Sequence, residues 1–240
     1  MLIKTNIIVL NKLKYKDYDL IIRTYTEHRG AVSYIAKNAL KPSKTSKVKS
    51  VYFQPLMQLS IEENYRSNQS LQYFKDVKSN YIYQSLHTNV YKSAIVLFLS
   101  ELLAMVLREE EQNKDLYHFL ETAFQYLDTE EHFANFHLLF LLKLTRYLGF
   151  QPDMPNENSK SFNLQTGSFE AYSKASYSVS GKSLTLLKRL LGINFDELNT
   201  IKINAAERHD FLNMLLYYFE LHLEDFKKPK SLKVLNDIFR

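Results

Sequence analysis

Five lysines give this chain its most chemically suggestive stretch. Lys37, Lys41, Lys44, Lys47 and Lys49 fall within about a dozen residues that contain no acidic side chain. Pro42, Ser43, Thr45 and Ser46 between them mark the stretch as a loop joining two strands. Flexible ammonium groups suit phosphate contacts, because they need no fixed angle and release condensed counterions when they bind. Neighbouring hydroxyls add hydrogen bonds to phosphate oxygens. Aromatic residues flank the stretch, with Tyr34 before it and Tyr52 and Phe53 after. On a barrel face such rings could stack on unpaired bases. At strand spacing they also suit a core, and both roles stay open.

Other chemistry finds less to work with. His132 and His137 are five residues apart, about 140° in azimuth on a helix, and the remaining five histidines are scattered. There is no HExxH and no compact His/carboxylate cluster. The runs at 109–111 and 128–131 read as solvated helix ends rather than a divalent-ion site. No GxSxG elbow is present for serine hydrolysis, and no carboxylate pair is tied by sequence to a cleft. The chain has no cysteine, which removes disulfides, thiolate zinc sites, iron–sulfur clusters and cysteine nucleophiles together. Five widely spaced glycines exclude both GxGxxG and GxxxxGK, and with them a phosphate-cradling nucleotide loop. The residues therefore point to binding without catalysis, metal or cofactor.

These side chains need elements to carry them. The 240 residues, 45 % of them hydrophobic and 24 % charged, suffice for one large domain or two small ones. Charge divides unevenly, with 14 basic and 6 acidic residues in 1–80 against 17 and 20 in the remainder. A basic first third suggests an anion-binding module. It reads as about five short strands, at 2–10, 20–26, 31–36, 56–61 and near 70–77, with 11–19 as a turn. Gly30 suits a hairpin. That predicts a small barrel, OB-type or SH3-like.

From about residue 80 the apolar period becomes helical. Tyr91, Ala94, Ile95, Phe98, Leu102, Met105 and Val106 form one stripe. A helix over 116–127 follows, with Asp115 as its N-cap. A nearly all-apolar helix over 133–147 stops at Gly149 and Pro152. Residues 151–181 break the pattern as a small hairpin or ordered loop. Further helices are expected at 183–191, 205–224 and 231–239. No apolar run reaches the roughly 18 residues of a membrane span, and no secretory signal is visible, so a cytoplasmic protein is expected.

The sequence also resembles a family. Its opening, NIIVLNKLKYKDYDLIIRTYTEHRGAVSYIAKNALKPSKTSKVKSVYFQPLMQLSI, is similar to the N-terminal segment of the bacterial RecO recombination mediators. The shared features are an apolar first strand, Asp17 after Tyr15 and Lys16, then Asp19, and Tyr25-Thr26 leading to Gly30. A basic loop then precedes Phe53-Gln54-Pro55-Leu56. Two later blocks agree: Tyr147-Leu148-Gly149-Phe150 with Pro152, and Tyr217-Tyr218, His222, Lys230-Ser231-Leu232 and Val234-Leu235.

The resemblance implies an α+β protein: an N-terminal OB-type β-barrel over 1–80, then an all-helical domain over 81–240 with a small hairpin or loop insertion at about 151–181. It implies a non-catalytic DNA-repair protein that binds single- and double-stranded DNA and anneals complementary strands. With RecR, such a protein helps load RecA onto DNA coated by single-strand-binding protein, whose acidic C-terminal tail the helical domain holds in some members. Carried onto this sequence, Lys37, Lys41, Lys44, Lys47 and Lys49 would contact DNA, with Arg29 and Arg66 as helpers. Many relatives place a four-cysteine zinc module where 151–181 lies here. This insertion lacks zinc ligands of that kind, so packing of Phe162, Phe169, Tyr172 and Tyr177 is expected to hold it. The alternative is a protein-interaction scaffold whose basic barrel binds an acidic protein tail instead of nucleic acid.

Overall fold

Alternating apolar residues in the first third leave each strand one face to bury, and five strands solve this by closing on themselves. The computed structural model describes residues 2–42, 49–172 and 176–239. Strands β1 (Leu2–Tyr15), β2 (Asp19–Thr26), β3 (Gly30–Ala36), β4 (Gln58–Asn64) and β5 (Leu71–Ser79) form a closed barrel in the order β1-β2-β3-β5-β4. A parallel β3–β5 pairing, Ile35 opposite Tyr73, completes a ring whose other pairs are antiparallel. This five-stranded closure is the OB arrangement, which decides between the two barrels the sequence allowed.

The core follows from the pleat. Ile7, Val9, Leu20, Ile22, Val32, Tyr34, Phe53, Leu59, Ile61 and Val77 fill it. β1 is buried on both faces, because helix α1 (Val90–Val106) packs over it from outside. Ile8 and Leu10 are as inaccessible as their inward neighbours, and Ser100 Oγ donates to the Leu10 carbonyl. An irregularity in register between Val9 and Asn11 lets one long strand bend, pairing with β4 through its first half and with β2 through its second.

β1 thus runs five residues beyond its expected end. Residues 11–15, expected as a turn, are strand, because Leu20, Ile21 and Ile22 of β2 need partners and find Lys14, Leu13 and Lys12. Only 16–18 turn, with Lys16 at φ +52°. The Gly30 hairpin forms as expected, at φ +69°, and for a second reason besides its conformation. A Cβ there would lie 2.7 Å from the carbonyl oxygen of Glu109, since residues 107–111 cross over the hairpin. Ala31 N–H donates to that oxygen at 3.0 Å, and Arg23 Nη2 donates to the Leu107 carbonyl at 3.1 Å.

Helix α2 (Lys114–Thr129) follows, capped by Asn113 rather than by Asp115: the Asn113 side chain accepts from Leu116 N–H at 2.9 Å. At its far end Asp128 accepts N–H bonds from Gln84, Ser85 and Leu86. The barrel, α1 and α2 make one compact unit, Met1–Thr129 with Pro229–Ser231.

The second unit is Glu130–Lys228 with Leu232–Arg240. It contains α3 (Phe136–Tyr147), α4 (Gly181–Leu190), α5 (Ala205–His222) and α6 (Leu232–Ile238), with a 3-10 turn at Phe195–Thr200 that the sequence pattern did not reveal. α3 is buried nearly all round, as its composition requires. The insertion is a three-stranded sheet, β6 (Ser161–Asn163) between β7 (Ser168–Glu170) and β8 (Ser178–Val179). Of the rings expected to hold it, Phe162 packs on Phe169 at 4.9 Å, and Tyr177 meets Tyr217 at 6.2 Å. Tyr172 does not take part: it is exposed, with Lys160 over its ring at 5.7 Å. Its place is taken by α5. Tyr218 packs on Phe162 and donates to the Phe150 carbonyl at 2.7 Å, and His222 Nε2 meets the Leu164 carbonyl at 2.9 Å. Among the described residues no three His, Asp or Glu side chains gather as a metal site.

Candidate nucleic-acid interface

The extra length of β1 changes what the barrel displays. Lys12 and Lys14 project from the extended hairpin, and Lys16 sits in its turn with Nζ 5.2 Å from the Tyr15 ring centre. The segment after β3 folds back onto this hairpin. Asn38 N–H donates to Asp19 Oδ1 at 2.8 Å, and Leu40 N–H donates to the Tyr18 carbonyl at 3.0 Å. The chain re-entering before β4 joins them: Ser50 N–H donates to the Ala39 carbonyl at 3.1 Å, and Lys12 Nζ reaches the Ser50 carbonyl at 3.4 Å. Lys12, Lys14, Lys16, Lys37, Lys41 and Lys49 therefore share one end of the barrel, all exposed.

Among the described residues, none of these six ammonium groups lies within 4.0 Å of a carboxylate. Of the two acids in the hairpin, Asp17 and Asp19, the second is engaged by the Asn38 amide. Partial burial lowers the Lys12 pKa from its ordinary 10.5. Such an end attracts polyanions, and its ammonium tips stay mobile enough to follow a backbone of varying geometry. Lys44 and Lys47 lie outside the described residues.

The sequence reading missed Lys12, Lys14 and Lys16. The signal was present, a lysine at every second position, which is strand period rather than loop composition.

Arg29 does not join the lysines. Arg29 forms an ion pair with Glu63, whose carboxylate is wholly inaccessible, and its guanidinium stacks 3.9 Å from the Tyr65 ring centre. Tyr65 Oη in turn donates to Glu110 Oε1 at 2.6 Å, clasping the 107–111 crossing. Burial is thus the first demand on Arg29, and its charge is spent inside the fold rather than offered to DNA. Arg66 is exposed in the connection after β4, where the Gln72 side chain holds its backbone N–H and C=O.

Two of the three aromatic candidates also correct to core. Tyr34 and Phe53 are fully buried and sandwich the Phe74 ring, at centroid distances of 4.4 and 5.5 Å. Neither has a face free for a base. Desolvation raises the Tyr34 hydroxyl far above its ordinary pKa. Tyr52 is half-buried against the same core.

The second unit carries a cleft of about 410 Å³ between α4 and the segment entering α5. Lys182, Arg189 and Lys202 line it beside Leu186 and Ile203, and Lys182 pairs with Glu207 at 3.6 Å.

A closed OB-type barrel with a cationic end, followed by a helical region, sets the structural class. Family models make the assignment more particular. The one described as Recombination protein O N terminal matches residues 1–83, and the one described as Recombination protein O C terminal matches residues 87–233. The chain is 50 % identical over 239 residues to the DNA repair protein RecO of Christiangramia forsetii, both chains covered completely. It is 41 % identical to that of Flavobacterium psychrophilum and 37 % identical to that of Bacteroides fragilis, again over complete lengths. The chain belongs to the RecO family of DNA repair proteins.

Proposed function

We propose that this chain is a non-catalytic recombination mediator that binds DNA through the barrel of residues 1–80 and meets protein partners through residues 81–240. It takes both single- and double-stranded DNA and anneals complementary strands. With RecR it helps load RecA onto DNA coated by single-strand-binding protein, in the cytoplasm and close to the nucleoid. The observation that carries this reading is the gathering of Lys12, Lys14, Lys16, Lys37, Lys41 and Lys49 at one barrel end, without a carboxylate partner among the described residues. Two DNA strands repel through their phosphates. Lysines bound to both backbones offset that repulsion, so complementary bases meet more often. Lys44 and Lys47 belong to the same proposed set of DNA contacts. The acidic tail of single-strand-binding protein would seat in the cleft lined by Lys182, Arg189 and Lys202, with Leu186 and Ile203 receiving its apolar residue.

The test is a fluorescence-anisotropy titration of the full chain with a short oligonucleotide across several salt concentrations. Affinity should fall linearly on a log–log plot with a slope of several ions, and depend little on sequence. Changing Lys37, Lys41 and Lys49 together to Glu should abolish binding at moderate salt while leaving the thermal midpoint in place. Unchanged affinity in that variant, or binding of acidic peptides alone, would overturn the reading.

A further inference from the structure

We propose that Tyr18 and Tyr73 are the base-stacking residues of the barrel, and that they make it favour unpaired bases over duplex. The proposal rests on the DNA-binding reading above and assigns the part of it that phosphate contacts cannot supply. Ammonium groups read backbone charge, which single strands and duplexes both carry. A ring can stack only on a base whose face is free.

With Tyr34 and Phe53 committed to the core and Tyr52 half-buried against it, more exposed rings are needed, and among the described residues the structure displays two at the basic end. Tyr73 is 43 % exposed on β5, and Tyr18 is 48 % exposed in the β1–β2 turn. They flank the segment that follows β3. On one side Lys37 holds its Nζ 4.8 Å from the Tyr73 ring centre. On the other, Leu40 N–H ties the segment to the Tyr18 carbonyl at 3.0 Å. Lys37 and Lys41 thus lie between two exposed tyrosines, each anchored by its backbone in or beside the sheet.

This spacing alternates charge and ring as a single strand alternates phosphate and base. A strand crossing the barrel end would set phosphates on Lys37 and Lys41 while its bases lie against Tyr73 and Tyr18. The cation–π contact couples the two halves, because the ammonium that meets the phosphate also holds the ring beneath the base. Leu13, Leu40 and Val51, all exposed beside these residues, add apolar surface for sugars and base edges. A duplex can use the lysines but gains nothing from rings, since its bases are already stacked on each other.

The experiment compares the full-length wild-type chain with Tyr18→Ala, Tyr73→Ala, the double variant, and the Tyr18→Phe/Tyr73→Phe pair. The probes are a fluorescein-labelled oligothymidylate and a duplex of the same length. Each alanine should weaken single-strand binding on the order of tenfold, leave duplex affinity within about twofold, and keep the salt slope unchanged. Phenylalanine should restore single-strand affinity, because stacking needs the ring and not the hydroxyl. A 2-aminopurine placed in the strand should be quenched by wild type and by the phenylalanine variant, and not by the double alanine variant. Equal losses on both probes, or none on either, would overturn the stacking assignment while leaving the basic face standing. A wild-type chain that binds neither probe in a salt-dependent way would overturn the underlying reading as well.

Discussion

Arg29 shows how little a residue type says until its neighbours are known. In sequence it is a cation in a basic segment. In the fold it neutralises the buried carboxylate of Glu63 and stacks on Tyr65. Removing one partner of such a pair leaves an uncompensated charge in a low-dielectric site, which costs far more than the intact pair contributes. Arg29→Ala should therefore lower stability by roughly 3–5 kcal/mol, read from urea denaturation. Arg29→Met combined with Glu63→Leu should recover most of that loss. Gly30 beside it makes a smaller case. Gly30→Ala would adopt φ +69° and drive a methyl against the carbonyls of the 107–111 crossing. We expect a loss of at least about 1 kcal/mol, measured in the same way.

At the scale of elements, the helices were legible because their apolar residues recur at helical spacing or cover the whole helix, which tertiary contacts only confirm. α3 is the clearest example, and its burial has a consequence for pH. His137 is inaccessible, and burial, helped by the positive charge of Arg208, lowers its pKa to about 3. The folded protein keeps this ring neutral, whereas the unfolded chain protonates it at its ordinary value near 6.5. A base with a lowered folded pKa favours folding above the unfolded value, and that advantage is lost as pH falls below it. Wild-type stability should drop between pH 7 and pH 5 by on the order of 2 kcal/mol from this group alone. His137→Leu should lack that component, as paired denaturation curves at the two pH values would reveal. Strands were less legible. Residues 11–15 are polar enough to pass for a turn, and only the pairing demanded by β2 makes them strand.

Over the whole molecule, composition described the charge correctly but not its placement. The first 80 residues hold a surplus of eight positive charges, and this could have been spread evenly around a barrel. Instead the hairpin, the segment after β3 and the chain entering β4 meet at one end. If that end is the DNA contact, the lysines missed by sequence contribute alongside those found. Replacing Lys12, Lys14 and Lys16 together by Gln should reduce the log–log salt slope on single strands by about two, at roughly 0.7 per phosphate contact. A slope equal to wild type would place the contact elsewhere.

Amino-acid order alone determined the barrel's strand-rich third, the helical remainder and the break at 151–181, because each depends on periodicity or composition along the chain. Which charges and rings face outward was decided by folding. Closure of five strands places Tyr34 and Phe53 inside, and the pairing of Arg29 with Glu63 withdraws a cation. The bent β1 carries Lys12, Lys14 and Lys16 to the lysines that follow β3. Those outcomes depend on contacts between residues far apart in the chain, and local pattern holds no record of them.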